Sequence, residues 1–316
     1  MKKNPPKELH RTRIGGQALM EGVMMRGIDK ISMAVRLPSG EIDVETWGIS
    51  PKFQTISKIP VVRGVFNMVD SLVLGYRCLM KSAEKSGMLE MDEEPGRFEQ
   101  KMTQWFGEKM MGVITITASV LGVALALLLF MYLPSLFTSL LSNVVELGVW
   151  KTVIEGVIKI AIFVGYLALV SLMSDMKRMF AYHGAEHKSI ACYEAGEELT
   201  PENAKKFTRF HPRCGTSFLL IALIISIIIF SIPIVPWDNL LLRVACKIIL
   251  LPVVVGFAYE LIRLAGRHDN ILTRIISAPG LWLQRLSTKE PDLEQLEVAI
   301  ASLQPVIPDN KEEDRW

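Results

Sequence analysis

Apolar and polar positions divide the chain into three regimes. They interleave up to about residue 111, separate into long apolar runs with short polar breaks from 112 to 262, and mix again from 263 to 316. In the first regime Ile31 to Leu37 and Glu41 to Trp47 alternate around Pro38-Ser39-Gly40, which predicts a β-hairpin. From Pro60 to about Ser86 apolar residues recur at helical spacing, among them Val62, Val65, Phe66, Val69, Leu72, Val73 and Tyr76. Arg63, Asp70, Arg77 and Lys81 punctuate the run. It reads as an amphipathic helix, lying on a membrane surface or packed as an ordinary core helix. Glu90 to Glu94 reads as a solvated acidic link.

The middle regime is the one that sets the class. No charged residue lies between Lys109 and Glu146, so Gly112 to Leu133 is long and apolar enough for a first span, with Pro134 as its end. Val153 to Met173 makes a second span, carrying Glu155 and Lys159; Ser217 to Val235 makes a third. Leu240 to Ile262 makes a fourth, with Arg243 and Lys247 in its first half. Charges at such depth are costly unless paired, so Glu155 is expected to pair with Arg243 or Lys247 as a structural contact. Beyond the spans, Ile271 to Leu286, with Trp282, suits the membrane interface. Asp292 to Leu303 reads as a short helix after Pro291, and Asp309 to Trp316 as a charged, frayed end.

Composition agrees. Half of the 316 residues are hydrophobic and the mean hydropathy is +0.31, which excludes an ordinary soluble globule. A formal net charge of +2 gives no argument for nucleic acid as a partner. The opening 13 residues are polar and show no signal-peptide pattern. Cysteines 78, 192, 214 and 246 have no paired spacing and read as reduced thiols. Lys and Arg number 17 before the first span, seven in 174–216 and seven from 263 onward, against one in 138–152 and none in 236–239. Positive-inside bias then puts both termini and the 174–216 loop in the cytoplasm.

That loop holds the candidate chemistry. His183 and His187 stand four apart, and on a helix would share one face; His211 and Cys214 stand three apart, 24 residues later. Mixed nitrogen and sulfur donors at these spacings suit tetrahedral zinc, against the alternative of polar residues scattered through a loop. A closed shell of all four would be structural and would staple the loop. Read instead as H-x-x-E-H, His183 and His187 would bind the metal and Glu186 would be the general base, with Glu260 or His211 as third ligand. Arg263, Arg267 and His268 could bind an anionic headgroup or outer-shell water, or simply snorkel at the interface. Glu21 and Arg26, in a segment with four glycines but no G-x-G-x-x-G spacing, could complete the same pocket or form a solvated tight turn. Lys188 reads as solvated.

Four blocks carry a family resemblance: Gly15-Gly16-Gln17-Ala18-Leu19-Met20-Glu21-Gly22-Val23-Met24-Met25-Arg26, Tyr182-His183-Gly184-Ala185-Glu186-His187-Lys188, His211-Pro212-Arg213-Cys214-Gly215-Thr216, and Glu290-Pro291-Asp292 with Glu297-Val298-Ala299-Ile300. In these the chain resembles the YqhQ-like family of bacterial polytopic membrane proteins, from residue 13 to about 301. The resemblance implies a metal-dependent enzyme and supplies no substrate.

The sequence therefore predicts an all-α integral membrane protein of the bacterial cytoplasmic membrane, with four transmembrane helices and a small α+β cytoplasmic layer containing one β-hairpin. Residues 1–111 and 263–316 would flank the membrane domain of 112–262. The expected activity is that of a zinc-dependent hydrolase acting on a membrane-associated substrate. The alternative is a non-catalytic, zinc-stapled scaffold for membrane-protein assembly or quality control. The expected partners are the lipid bilayer, membrane proteins or anionic lipid headgroups.

Overall fold

The computed structural model describes residues 10–49, 59–87, 110–232, 237–267, 270–311 and 313–315. The acidic link at 90–94 and His268 lie outside the described residues, as does the Arg267 side chain. The chain divides into two compact units. One comprises Met1–Met88, Leu167–Ile221 and Val255–Trp316; the other comprises Leu89–Tyr166 and Ala222–Val254.

The first unit is built on a four-stranded antiparallel meander: β1 (Gly15–Leu19), β2 (Gly22–Arg26), β3 (Lys30–Arg36) and β4 (Ile42–Gly48). The expected hairpin is β3–β4, with Arg36 opposite Ile42. A second hairpin, β1–β2, comes from the glycine-rich segment and corrects the one-hairpin expectation. It turns at Met20-Glu21, where Glu21 takes a φ of +50°. Its alternation was obscured because both faces of β2 are buried: Val23 and Met25 on one side, Met24 on the other.

Helices cover both faces of the sheet. Helix α1 (Val62–Lys85) packs Cys78, Leu74 and Leu79 against Leu19, Met24, Met33 and Val35. It leaves Phe66, Val69, Leu72, Val73 and Tyr76 exposed, so its apolar stripe is wider than its contact with the sheet. On the opposite face Val23, Met25 and Ala34 meet Tyr182, Ala185 and Ile190 of α5 (Ser174–Ala195) and Leu296, Val298, Ala299 and Leu303 of α10 (Leu293–Leu303). The 174–216 segment is therefore mostly helix, α5 followed by the short α6 (Pro201–Lys205), rather than loop. Asp292 caps α10 through a capping box with Gln295.

The frayed end expected at 309–316 is also corrected. Asp314 is fully buried, accepting hydrogen bonds from Thr12 Oγ1 and from Tyr193 OH (3.1 Å), with His10 Nε2 at 2.6 Å. This clasp joins the two chain ends. Lys188, expected in solvent, is buried as well: its ammonium donates to the Lys205 carbonyl (2.9 Å) and pairs with Glu290 (2.5 Å).

Three helical stretches are long and apolar enough to cross a membrane: Thr117–Ser142, Gly148–Val170 and Leu240–Ala265. The first combines α2 (Met110–Leu127), a π-turn (Leu128–Tyr132) and α3 (Leu133–Ser142). It runs past Pro134 because the wide turn accommodates the ring, while Ser135 Oγ donates to the Met131 carbonyl (2.9 Å). The second contains α4 (Lys151–Val170) and the third lies in α8 (Leu240–Arg267). The expected third span, Ser217 to Val235, is α7 (Gly215–Phe230), of 16 residues. At 1.5 Å per residue it is about 24 Å long, short of a hydrocarbon core of about 30 Å. Pro233 biases Ile232 away from helix, which accounts for the early stop. By length three stretches qualify rather than four, while the Thr12–Asp314 contact keeps the two ends of the described chain together.

In the second unit, buried charge is gathered rather than dispersed. Glu155 of α4 accepts from Arg243 (Nη2 at 2.6 Å, Nε at 3.2 Å), from Lys247 and from Ser135 Oγ (2.7 Å). Lys247 also donates to Ser135 Oγ at 2.6 Å. Lys159 lies 3.4 Å from Ser226 Oγ and over the Phe230 ring. The structure thus brings Glu155 together with both of its expected partners.

Candidate metal centre

Helix α5 sets His183 and His187 on one face, and α7 begins beside them at Cys214. One ligand atom from each of His183, His187 and Cys214 lies within 4.8 Å of the others, a grouping that could hold a metal ion. His183 Nε2 is 3.1 Å from Cys214 Sγ. The other ring nitrogens are already committed. His183 Nδ1 donates to the Ser287 carbonyl (2.8 Å), and His187 Nδ1 donates to the Arg209 carbonyl (2.6 Å). Carbonyl oxygens only accept, so each Nδ1 is the donor; His183 Nε2 meets Cys214 Sγ, and His187 Nε2 is buried without a hydrogen-bond partner. Outer hydrogen bonds that fix the tautomer in this way are the usual support of metal-binding histidines.

Cys214 is buried at the start of α7, where its sulfur also meets the Thr216 backbone N–H at 3.5 Å. Burial opposes ionisation, but His183 and His187 outweigh it and hold the thiol well below its ordinary value. Thiolate is the form that binds metal. Glu186 is buried too, and burial pushes its carboxyl above the usual range. Its Oε1 accepts from the Gly16 backbone N–H (3.1 Å), while Oε2 has no hydrogen-bond partner among the described residues.

His211 stands beside this group. Its ring centroid is 5.4 Å from that of His187, and its Nε2 accepts from Arg213 Nη2 at 3.1 Å, with Glu194 at 3.9 Å. Burial lowers its pKa below the ordinary imidazole value. Gln284 clamps the His211 backbone from both sides, donating to its carbonyl (2.7 Å) and accepting from its N–H (2.8 Å).

Of the other candidates, Arg26 lines the same cavity as the three grouped side chains, and Glu260 and Glu21 are engaged elsewhere. Glu260 is held by Arg63 through two contacts (Nε at 2.6 Å) and also accepts from the Val61 N–H, so its oxygens are engaged elsewhere. Glu21 pairs with Arg178 and Tyr182 at the β1–β2 turn. Arg26 pairs with Asp70 on α1 at 2.6 Å, and Arg263 interacts near Glu260.

Sequence reasoning missed Ser287, Arg209 and Gln284, which act through the backbone or at a distance in the chain. It also missed Gly16, whose role depends on a close approach: a Cβ there would lie 2.6 Å from the Met24 carbonyl oxygen and 3.0 Å from Glu186 Cδ. A cavity of about 770 Å³ opens onto the group. Its walls include Gly15 to Ala18 of β1, Met68 and Leu72 of α1, Phe218 and Leu219 of α7, and Glu186 itself.

Comparison with known proteins gives the same span of chain. Residues 59–309 match the family described as "Protein of unknown function (DUF1385)". The chain is 34% identical over 296 residues to a Bacillus subtilis (strain 168) protein described as "Uncharacterized protein YqhQ", covering 93% of this chain and 92% of that one. No solved structure matches. On the extent of both matches, this chain belongs to the DUF1385 family and to the YqhQ-like proteins that its four motif blocks resemble.

Proposed function

We propose that the protein is an integral membrane hydrolase with a zinc centre of three protein ligands, His183, His187 and Cys214, and Glu186 as general base. The observation that carries the reading is the pair of buried, unpartnered atoms, His187 Nε2 and Glu186 Oε2, in one wall of a cavity. Buried polar atoms are normally satisfied, so two orphans beside a thiol and a second imidazole fit a group held there. Three protein ligands leave a fourth position open, as catalytic zinc sites do, whereas structural sites are closed. A bound zinc would supply Lewis acidity and activate water near neutral pH.

The remaining steps belong to the chain. Gly16 fixes one Glu186 oxygen, leaving the other to accept the proton of the attacking water and return it to the leaving group. Water thereby adds across the bond that breaks, its hydroxyl going to the acyl or phosphoryl side. His211, anchored by Arg213, lines the same cavity. The exposed apolar residues of α1, together with Ile271, Leu272, Ile275 and Trp282 of α9 (Ile271–Ser287), support a membrane-associated substrate. Positive-inside bias remains the argument for a cytoplasmic site.

The test is zinc content and hydrolysis in purified full-length protein. Wild type should carry one zinc per chain, Cys214→Ala should lose it, and Glu186→Gln should keep it while losing activity. Absence of stoichiometric zinc from wild type would refute the centre. Zinc-bearing wild type that hydrolyses nothing, with Cys214→Ala losing metal and fold together, would point instead to a metal-stapled scaffold.

A further inference from the structure

Strand β1 is the edge of the sheet, and its hydrogen-bonding sense follows from two contacts. The Arg36 N–H donates to the Glu21 carbonyl (2.8 Å) on either side of the Gly22–Val35 pair, so the polar groups of Gly22 point away from β3 and toward Leu19 of β1. Leu19, Gln17 and Gly15 therefore bond to β2. Gly16 and Ala18 point outward, and the Gly16 N–H does so visibly, since it reaches Glu186 at 3.1 Å. The Gly16 carbonyl and both polar groups of Ala18 make no hydrogen bond to any other described residue. These residues wall the cavity, flanked by Met68 and Leu72 on the α1 side and by Phe180 and Ile190 on the α5 side. Edge strands are normally blunted by charge, proline or cover; Gly15-Gly16-Gln17-Ala18 has no charge and no proline.

From this edge beside an orphaned carboxylate oxygen, we infer that the substrate is an extended polypeptide segment that pairs with β1 as an added strand. The inference rests on the hydrolase reading for its chemistry and on the edge alone for its binding. An incoming strand bonded to the N–H and C=O of Ala18 continues past Gly16, about 7 Å along at some 3.4 Å per residue. There Gly16 hands one hydrogen bond to Glu186, so the backbone of the guest is carried to the Glu186 oxygen that has no partner. The apolar residues from α1 and α7 flank alternate side chains of the guest. The bond broken is an amide C–N: water supplies the hydroxyl of the new carboxylate and the proton of the new amine.

The probe is a fluorescein-labelled ten-residue peptide of alternating valine and threonine, followed by anisotropy on zinc-loaded, full-length Glu186→Gln in detergent. Binding should weaken about tenfold when alternate peptide amides are N-methylated, because each backbone bond is modest and several are lost together. Ala18→Pro, which removes an outward N–H and leaves the β2 ladder intact, should weaken binding similarly with zinc content and melting temperature unchanged. On peptide addition the Ala18 amide should gain protection from hydrogen exchange. Equal binding of methylated and unmethylated peptides, or no binding at millimolar concentration, overturns the inference. So does displacement of the peptide by phosphatidylglycerol micelles with no change at the Ala18 amide. If Ala18→Pro fails to fold, the methylated peptide and the exchange measurement decide. Peptide binding by zinc-loaded wild type that never cleaves the bound peptide would sink the hydrolase reading and leave the strand-pairing inference standing.

Discussion

Replacing Glu155 by glutamine removes the one acidic side chain in the described charge cluster of the second unit. Glu155, Arg243 and Lys247 are 2%, 1% and 0% exposed, so neither cation has water to fall back on. Glutamine keeps the shape and one carbonyl, and can still accept from Ser135 or from one cation. It cannot balance two. Breaking a buried ion pair in this way costs about 3–5 kcal/mol, because the stranded charge keeps its desolvation penalty. At about 2–4 °C per kcal/mol for a domain of this size, the melting temperature should fall by about 6–20 °C. Lys247→Met is the internal control. It leaves Glu155 with Arg243 at 2.6 and 3.2 Å, a neutral pair, and so should cost much less. The assay is thermal unfolding of purified full-length protein at fixed detergent, read by circular dichroism. A Glu155→Gln shift under about 2 °C, or equal losses for the two variants, would refute the claim that the carboxylate compensates buried cations.

Three further outcomes follow from the first unit. His211→Ala should keep its zinc, whereas Cys214→Ala should weaken binding by more than the roughly 10–100-fold that loss of an outer hydrogen bond costs; equilibrium dialysis distinguishes them. Gly16→Ala puts a Cβ 2.6 Å from the Met24 carbonyl oxygen and 2.8 Å from Met25 Sδ, so it should destabilise by about 1–3 kcal/mol and displace Glu186, seen as a lower melting temperature and lost hydrolysis. Burial alone would raise the Glu194 carboxyl, but His211, Arg213 and the Thr12 N–H hold it below its ordinary value of 4.5. It therefore contributes stability above about pH 4.5 that is lost as pH falls through the lower folded value, and Glu194→Gln should flatten the acid limb of a melting-temperature profile.

The fold was legible where local pattern and final environment agree. Helix α1, the β3–β4 hairpin and α10 each bury one face, so their periodicity survives in the sequence. The β1–β2 hairpin was hidden by glycine and by burial on both faces of β2, which replaces alternation with a continuous apolar run. Apolar length alone overcounted the spans. Ser217 to Val235 is uniformly hydrophobic, yet the helix within it stops at Phe230, ahead of Pro233. The same measure closed the first span early, since it could not register the π-turn that lets Pro134 sit inside a longer helix.

At the candidate centre, residue type and spacing picked out four possible donors, and the structure groups three of them. His183, His187, His211 and Cys214 are equally plausible ligands by spacing; what separates them is where the second nitrogen of each imidazole goes. In His183 and His187 the Nδ1 atom is spent on a carbonyl, from Ser287 and Arg209, while the Nε2 atoms lie with Cys214 Sγ in one group. In His211 the Nε2 atom accepts from Arg213. An arginine two positions away thus engages that nitrogen of His211, and on the proposed reading three donors remain where a closed shell needs four. That subtraction is also what gives Glu186 something to do. A carboxylate beside a closed centre would be buried charge without a task, whereas beside an open one its unpartnered oxygen faces the cavity where a substrate backbone would run. The glycine that fixes its other oxygen lies in the strand whose edge is free, so base and binding surface are set by a single residue, Gly16.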